Sequence, residues 1–306
     1  MNDLTVIGSN MIDLITYLDR MPVEGETVEA PEFEMGFGGK GANQAIAAAR
    51  LGSKVRMITM VGHDNFGKQQ LDNFQKNGID THGIGVGESN SGVAPIFVDP
   101  SSDNRIIVVK GANNELTPDV LDNFTDQIKY SKLVVLQQEI PLETNYHAIE
   151  LAQQFNVPVL LNPAPANEHL NVDYVSKVQF FTPNETELAT LTGLPTNNLD
   201  EIKIAAQALI SKGVGNIIIT LGSKGALWVT AEHTEIVPRK HVKAQHTTRP
   251  RQTNIAAKPH YKTTPEYVPD ALAHANQYAA VTVTRKGTQK SYPTATELPA
   301  LLAATL

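Results

Sequence analysis

Short apolar runs punctuate this chain at residues 4–7, 55–61, 133–136, 157–161, 180–182 and 217–221. Each has the length of a strand and little polar alternation, the pattern of a strand buried on both faces. Between them, apolar residues recur at helical spacing over 42–51, 67–77, 145–155, 185–192 and 202–212. Strand and helix in alternation predict an α/β fold, a central and mostly parallel sheet with helices on both faces. Two segments break the rhythm. Residues 14–36 alternate among turn signals, and 94–98 with 105–110 flank the turn-rich Asp99-Pro-Ser-Ser-Asp-Asn104, which predicts a hairpin. Together they predict a small antiparallel β lid, from about 14–36 and 94–110, projecting from the α/β body.

Composition narrows the class. A chain of 306 residues holds one large α/β domain or two smaller ones; a single domain over 1–306 is expected. A formal net charge of −7 argues against a nucleic-acid or membrane-surface partner. With no cysteine, the chain has no disulfide, thiolate nucleophile or cysteine-ligated metal. The N-terminus lacks a basic region, and no apolar run approaches ~20 residues, so neither a signal peptide nor a membrane span is expected. Cytoplasmic is the default location.

The densest chemical signal is Gly36-Phe-Gly-Gly-Lys-Gly-Ala-Asn-Gln-Ala45. Four glycines in six positions allow positive φ and close backbone approach to a small ligand. Lys40 and Asn43 place a charge and an amide in that bare loop, and the following helix points free N–H groups at the same spot. The spacing is not that of a P-loop, and Gly-x-Gly-x-x-Gly is absent.

Other candidates follow predicted strands. Asp13 could accept two hydrogen bonds from a polyol, or serve a turn or cap. Glu139 stands beyond the 133–136 strand, as a site acid or a solvated one. Asn184 and Glu187 form a capping-box pattern, sufficient as structure alone. The turn Thr220-Leu-Gly-Ser-Lys-Gly225 suits phosphates through its backbone N–H groups, or is a plain hairpin turn.

Taken in order, these motifs resemble the ribokinase (PfkB) family of sugar kinases over nearly the whole chain. The loop 38–44 resembles its first signature. Asn162-Pro-Ala-Pro-Ala166, 183–187, 220–225 and Val283-Thr-Arg-Lys-Gly-Thr-Gln289 with Ser291-Tyr-Pro293 match further landmarks. The resemblance implies a ribokinase-like fold and transfer of the ATP γ-phosphoryl, with Mg²⁺, to the 5-hydroxyl of a pentose. Ribose, the family's common substrate, is the expected sugar; 2-deoxyribose is the alternative, favoured by Met11, which stands where an asparagine commonly reaches the 2-hydroxyl. By resemblance Met11, Asp13, Gly39, Lys40, Asn43 and Glu139 line the sugar site. Asn184, Thr220, Gly222, Ser223, Lys224, Gly225, Arg251 and Asn276 belong to the ATP site. His246, Thr248, Thr282, Arg285, Gly287 and Ser291 match positions around K⁺. The lid of such kinases often makes a homodimer.

One signature departs. The family's Asp-Thr-Thr-Gly-Ala-Gly-Asp supplies a proton-accepting aspartate and a backbone anion hole. Here the aligned residues are His246-Thr-Thr-Arg-Pro-Arg-Gln252. Gln252 stands at the position of the base, and an amide accepts no proton near neutral pH. Pro250 has no N–H to donate. From 239 to 265 there are seven Lys or Arg and three His with no acid, and no helical period. The readings are a locally shifted frame or sequencing error, a pseudoenzyme, or arginines 249 and 251 as new phosphate ligands. Arg-Pro-Arg also resembles a minor-groove arm, against a solvated loop as the plainer account.

Overall fold

The computed structural model describes residues 2–101, 104–238 and 268–305. Its strands are β1 (Leu4–Ile7), β2 (Met11–Tyr17), β3 (Glu32–Gly38), β4 (Val55–Gly62), β5 (Asp80–Gly87), β6 (Val93–Val98), β7 (Asn104–Ile106), β8 (Val134–Leu136), β9 (Val159–Leu161), β10 (Phe180–Phe181), β11 (Ile217–Thr220), β12 (Ala226–Val229) and β13 (Thr234–Val237). The helices are α1 (Lys40–Arg50), α2 (Asn65–Lys76), α3 (Pro118–Asp122), α4 (Thr125–Lys129), α5 (Leu142–Gln154), α6 (Val172–Val175), α7 (Glu185–Thr192), α8 (Leu199–Ile210), α9 (Val268–Thr282) and α10 (Leu298–Thr305).

The large sheet runs β13-β12-β11-β10-β9-β8-β1-β4-β5. From β11 to β5 every pairing is parallel, and β12 and β13 close one end as antiparallel strands. Strand period explains why the apolar runs are continuous. Ile7, Leu136 and Leu161 enter one core, whereas Val6, Val135 and Leu160 enter the core on the opposite face. Helix α1 reaches the second core through Ile46 and through Ala42, Ala45, Ala47 and Ala48, whose small side chains let it lie close on β1 and β4.

The lid is a separate four-stranded sheet, β3-β2-β6-β7. The expected hairpin at its edge is present, with Phe97 opposite Arg105. The lid is not wholly antiparallel as expected, because β2 and β6 pair in parallel. The chain between them traverses the α/β body through β4 and β5, so no tight turn imposes an antiparallel return. Strand β2 also begins at Met11 rather than residue 14. Among the described residues no helix is long and apolar enough to cross a membrane.

Candidate active site

Strands β1 and β8 are neighbours, and the segments leaving their carboxyl ends converge on the start of α1. Open α/β sheets bind ligands at this edge. Glu139 follows β8 and is buried, which corrects the solvated alternative. Its Oε2 accepts from the Lys40 backbone N–H at 2.8 Å and from the Ser9 hydroxyl at 2.6 Å. The Lys40 ammonium lies 3.8 Å from Oε1. Helix α1 has Gly39 at its N-cap and no side-chain cap of its own. Glu139 supplies that acceptor from across the chain, its charge set against the positive end of the helix.

Asp13 lies within β2, opposite Gly36, so it is neither a turn nor a cap residue. It is 7% exposed. Burial pushes its pKa up to about 7; the hydrogen bond from Thr288 opposes that rise and the Glu139 charge adds to it. The Thr288 hydroxyl donates to Asp13 Oδ2 at 3.3 Å. A side chain at Gly38 would collide with the Asp13 carboxylate, and Gly39, at φ 88°, packs against Asn10 backbone. Those glycines therefore admit the chain's own strand β2 as much as any ligand. Met11 is buried and shares Asp13's face of the strand, two residues away.

Asn43, in the first turn of α1, accepts from Gln289 Nε2 at 3.0 Å. Thr288 and Gln289 belong to the loop after α9, 275 and 246 residues from the partners they touch. They fall inside a motif singled out in sequence, but no local pattern assigned them a partner; neither did any assign Ser9. The same loop grips the lid through Lys286, whose ammonium lies 3.2 Å from Glu32, 3.7 Å from Glu34 and 4.6 Å from the Tyr17 ring centroid.

Farther along the same sheet edge, Asn184 caps α7. Its side chain accepts from the Glu187 N–H, and Glu187 accepts from the Asn184 N–H, both at 2.8 Å, so the capping box is formed. Asn184 pairs with Thr220 through a β-bridge. Residues Gly222–Lys224 make one 3₁₀ turn ending at Gly225 and join β11 to β12 as a hairpin. Asn276 of α9 donates its amide to the Val237 carbonyl at 3.0 Å. Thr282 ends α9 and is buried, Gly287 has φ 86°, and Ser291 is buried with its hydroxyl on the Thr288 carbonyl at 2.7 Å. Arg285 carries a buried Nη1 without a hydrogen-bond partner. His246, Thr248, Arg251 and Gln252 lie outside the described residues.

A family model for pfkB family carbohydrate kinases matches residues 1–248. This chain belongs to the pfkB carbohydrate kinase family. It is 49% identical over 292 residues to the deoxyribokinase of Salmonella typhi, with 95% of each chain covered. It is 36% identical over 303 residues to the ribokinase of Lactococcus lactis, covering 99% of this chain and 97% of the relative. Among solved structures, Arabidopsis thaliana ribokinase complexed with ribose and ATP superposes with a TM-score of 0.89 at 28% identity, covering 98% of both chains. Thermotoga maritima ribokinase gives 0.87 at 33%, covering 99% of this chain and 100% of that one. The pfkB match stops at Thr248, the residue before Arg249, where the second signature departs.

Proposed function

We propose that this pfkB kinase is an ATP-dependent pentose kinase with a single domain and a β lid, acting on the sugar 5-hydroxyl and preferring 2-deoxyribose to ribose. The observation that carries the sugar choice is Met11, buried on Asp13's face of β2. A thioether cannot replace hydrogen bonds to a 2-hydroxyl, whereas it packs well against a methylene carbon. The 49% identity to a deoxyribokinase supports the same choice. Ribose is the second reading, supported by ribokinases at 34–36% identity.

In this reading the ionised Asp13 accepts from two sugar hydroxyls. Lys40, Asn43, Glu139 and the Gly39 backbone complete the sugar's polar surround. Asn184, Asn276 and residues 220–225 with Arg251 border the nucleotide, the Gly222 and Ser223 N–H groups facing phosphate oxygens while the Lys224 N–H is held by the Leu221 carbonyl. ATP binds with Mg²⁺, which neutralises charge on the phosphates. In transfer, the sugar oxygen bonds to the γ-phosphorus as the bond to ADP breaks, and the hydroxyl proton leaves to a base. Gln252 cannot take that proton, so the chain keeps the pentose site and loses most of the transfer step.

A monovalent cation, K⁺, fits the loop after α9. The Ser291 hydroxyl donates once and keeps acceptor lone pairs, and the backbone carbonyls of Thr282, Arg285 and Gly287 are hard oxygen donors; His246 and Thr248 would complete the set. Its charge would steady the phosphate end of the site. The outer face of the lid exposes Phe33 at 57% and Met35 at 42%, which supports a homodimer through that sheet. ATP as co-substrate favours a cytoplasmic place of action. Titration calorimetry of both sugars tests the reading: tighter binding of 2-deoxyribose supports it, and a tenfold preference for ribose overturns the sugar choice.

A further inference from the structure

Asn43 is one end of a chain of amides that begins at a guanidinium. Arg50, the last residue of α1, donates from Nε to Asn77 Oδ1 at 2.8 Å. Asn77 donates from Nδ2 to the Asn73 backbone carbonyl at 2.8 Å and to Asn73 Oδ1 at 3.3 Å. Asn73 donates from Nδ2 to Gln289 Oε1 at 2.9 Å, and Gln289 donates from Nε2 to Asn43 Oδ1 at 3.0 Å. An amide can be turned over without changing shape, so its orientation is normally set only by its network. Here the starting point admits no choice, because a guanidinium only donates. Each amide must then show oxygen to the preceding member and N–H to the next. The last consequence is that Asn43 offers its N–H₂, not its oxygen, away from Gln289.

We propose that Arg50, Asn77, Asn73 and Gln289 are a positioning relay that fixes Asn43 as a hydrogen-bond donor to a sugar hydroxyl oxygen. Asp13 can then accept from the sugar while Asn43 donates to it, and the two polarities together select a polyol in one orientation. Arg50 also donates from Nη1 to the Gln289 and Tyr292 carbonyls, at 2.6 and 2.9 Å. The same side chain thus sets the polarity of the relay and pins the backbone that carries Gln289. Gln289 is buried, so water does not substitute for its two partners.

This inference rests on Asn43 being a sugar ligand, and the experiment separates the two. Asn73→Asp keeps the shape of residue 73 but removes its donor. Gln289 must then turn over to donate to the new carboxylate, and Asn43 must turn over to donate to Gln289, which leaves an oxygen facing the sugar. Asn73→Ala breaks the relay without reversing it. Affinity for 2-deoxyribose is measured by calorimetry at pH 9, where Asp13 is ionised in every variant, with ATP affinity as the control for folding. The expected result is about a tenfold loss of sugar affinity for Asn73→Asp, a smaller loss for Asn73→Ala, and no further loss when Asn73→Asp is added to Asn43→Ala. A side chain that merely packs would give Asn73→Ala the larger loss, and that order overturns the relay. A loss from Asn73→Asp that persists on the Asn43→Ala background overturns it as well. Sugar affinity unchanged in Asn43→Ala removes Asn43 from the sugar site, and the reading beneath the relay fails with it.

Discussion

Asn at position 13 should make this protein more stable and unable to hold its sugar, with a pH dependence that identifies the cause. Asp13 is 7% exposed, and burial raises its pKa from 3.8 to about 7. A raised carboxyl pKa means that the folded state binds the proton more tightly than the unfolded state. The neutral form's contribution is fully present below pH 3.8 and is lost as pH rises through 7. The shift corresponds to about 4 kcal/mol at most, since one unit is about 1.4 kcal/mol. Asp13→Asn removes the ionisation and keeps an oxygen to accept from Thr288. Its stability advantage over the native protein should therefore be near zero at pH 4, grow between pH 4 and 7, and level off above. Urea denaturation at intervals from pH 4 to 9 measures this directly. The same variant loses a charge-assisted acceptor worth roughly 1.5–3 kcal/mol per bond, so 2-deoxyribose affinity should fall by at least ~10²-fold at pH 8. In the native protein, sugar affinity should itself weaken below pH 7 as Asp13 is protonated. A stability difference independent of pH would refute the assignment of a raised pKa, and sugar affinity unchanged in Asp13→Asn would take that carboxylate out of the site.

Two further outcomes follow from the geometry. Glu139→Ala leaves the first N–H of α1 and the Ser9 hydroxyl without their acceptor, and should cost roughly 1–3 kcal/mol of stability in denaturant titration as well as sugar affinity; a change below about 0.5 kcal/mol would show that water replaces the carboxylate there. Phe33→Asp on the outer lid face should convert a dimer to a monomer in sedimentation at micromolar concentration, and a native chain that sediments as a monomer would remove the lid interface.

Helix α7 and strand β1 were legible to the residue, because a capping box and a short all-apolar run are signals complete within a few positions. The start of α1 was nearly so, since bare glycines followed by an alanine-rich period leave few alternatives. The hairpin alternative at 220–225 is what joins β11 to β12, whereas β13, four residues with alternating exposure, gives too short a signal to stand out. Helix α9 was missed beside the unpatterned stretch that precedes it, its Ala, His and Asn residues giving a weak period. The residues proposed to hold the sugar were legible as residue types and not as contacts. Nothing near Asp13 announces Thr288, nothing near Asn43 announces Gln289, and Glu139 looks like any exposed acid until Ser9 and Lys40 close around it. Such contacts belong to the topology, which brings the segments after β1, β8 and α9 to one edge.

In the proposed reading, this chain retains a pentose kinase's sugar and nucleotide sites while its transfer machinery is replaced at residues 246–252. Losing a general base lowers rates by roughly 10²–10⁴, and each anion-hole donor lost by roughly 10²–10³. The decisive measurement is ATP-dependent phosphorylation of 2-deoxyribose by two proteins, the chain itself and one carrying Asp-Thr-Thr-Gly-Ala-Gly-Asp at 246–252. The chain itself should turn over at least ~10³-fold more slowly than the replaced protein, while both bind the sugar alike. Equal turnover by the two would contradict the loss of the transfer step, for phosphoryl transfer would then proceed without an acid–base group at position 252.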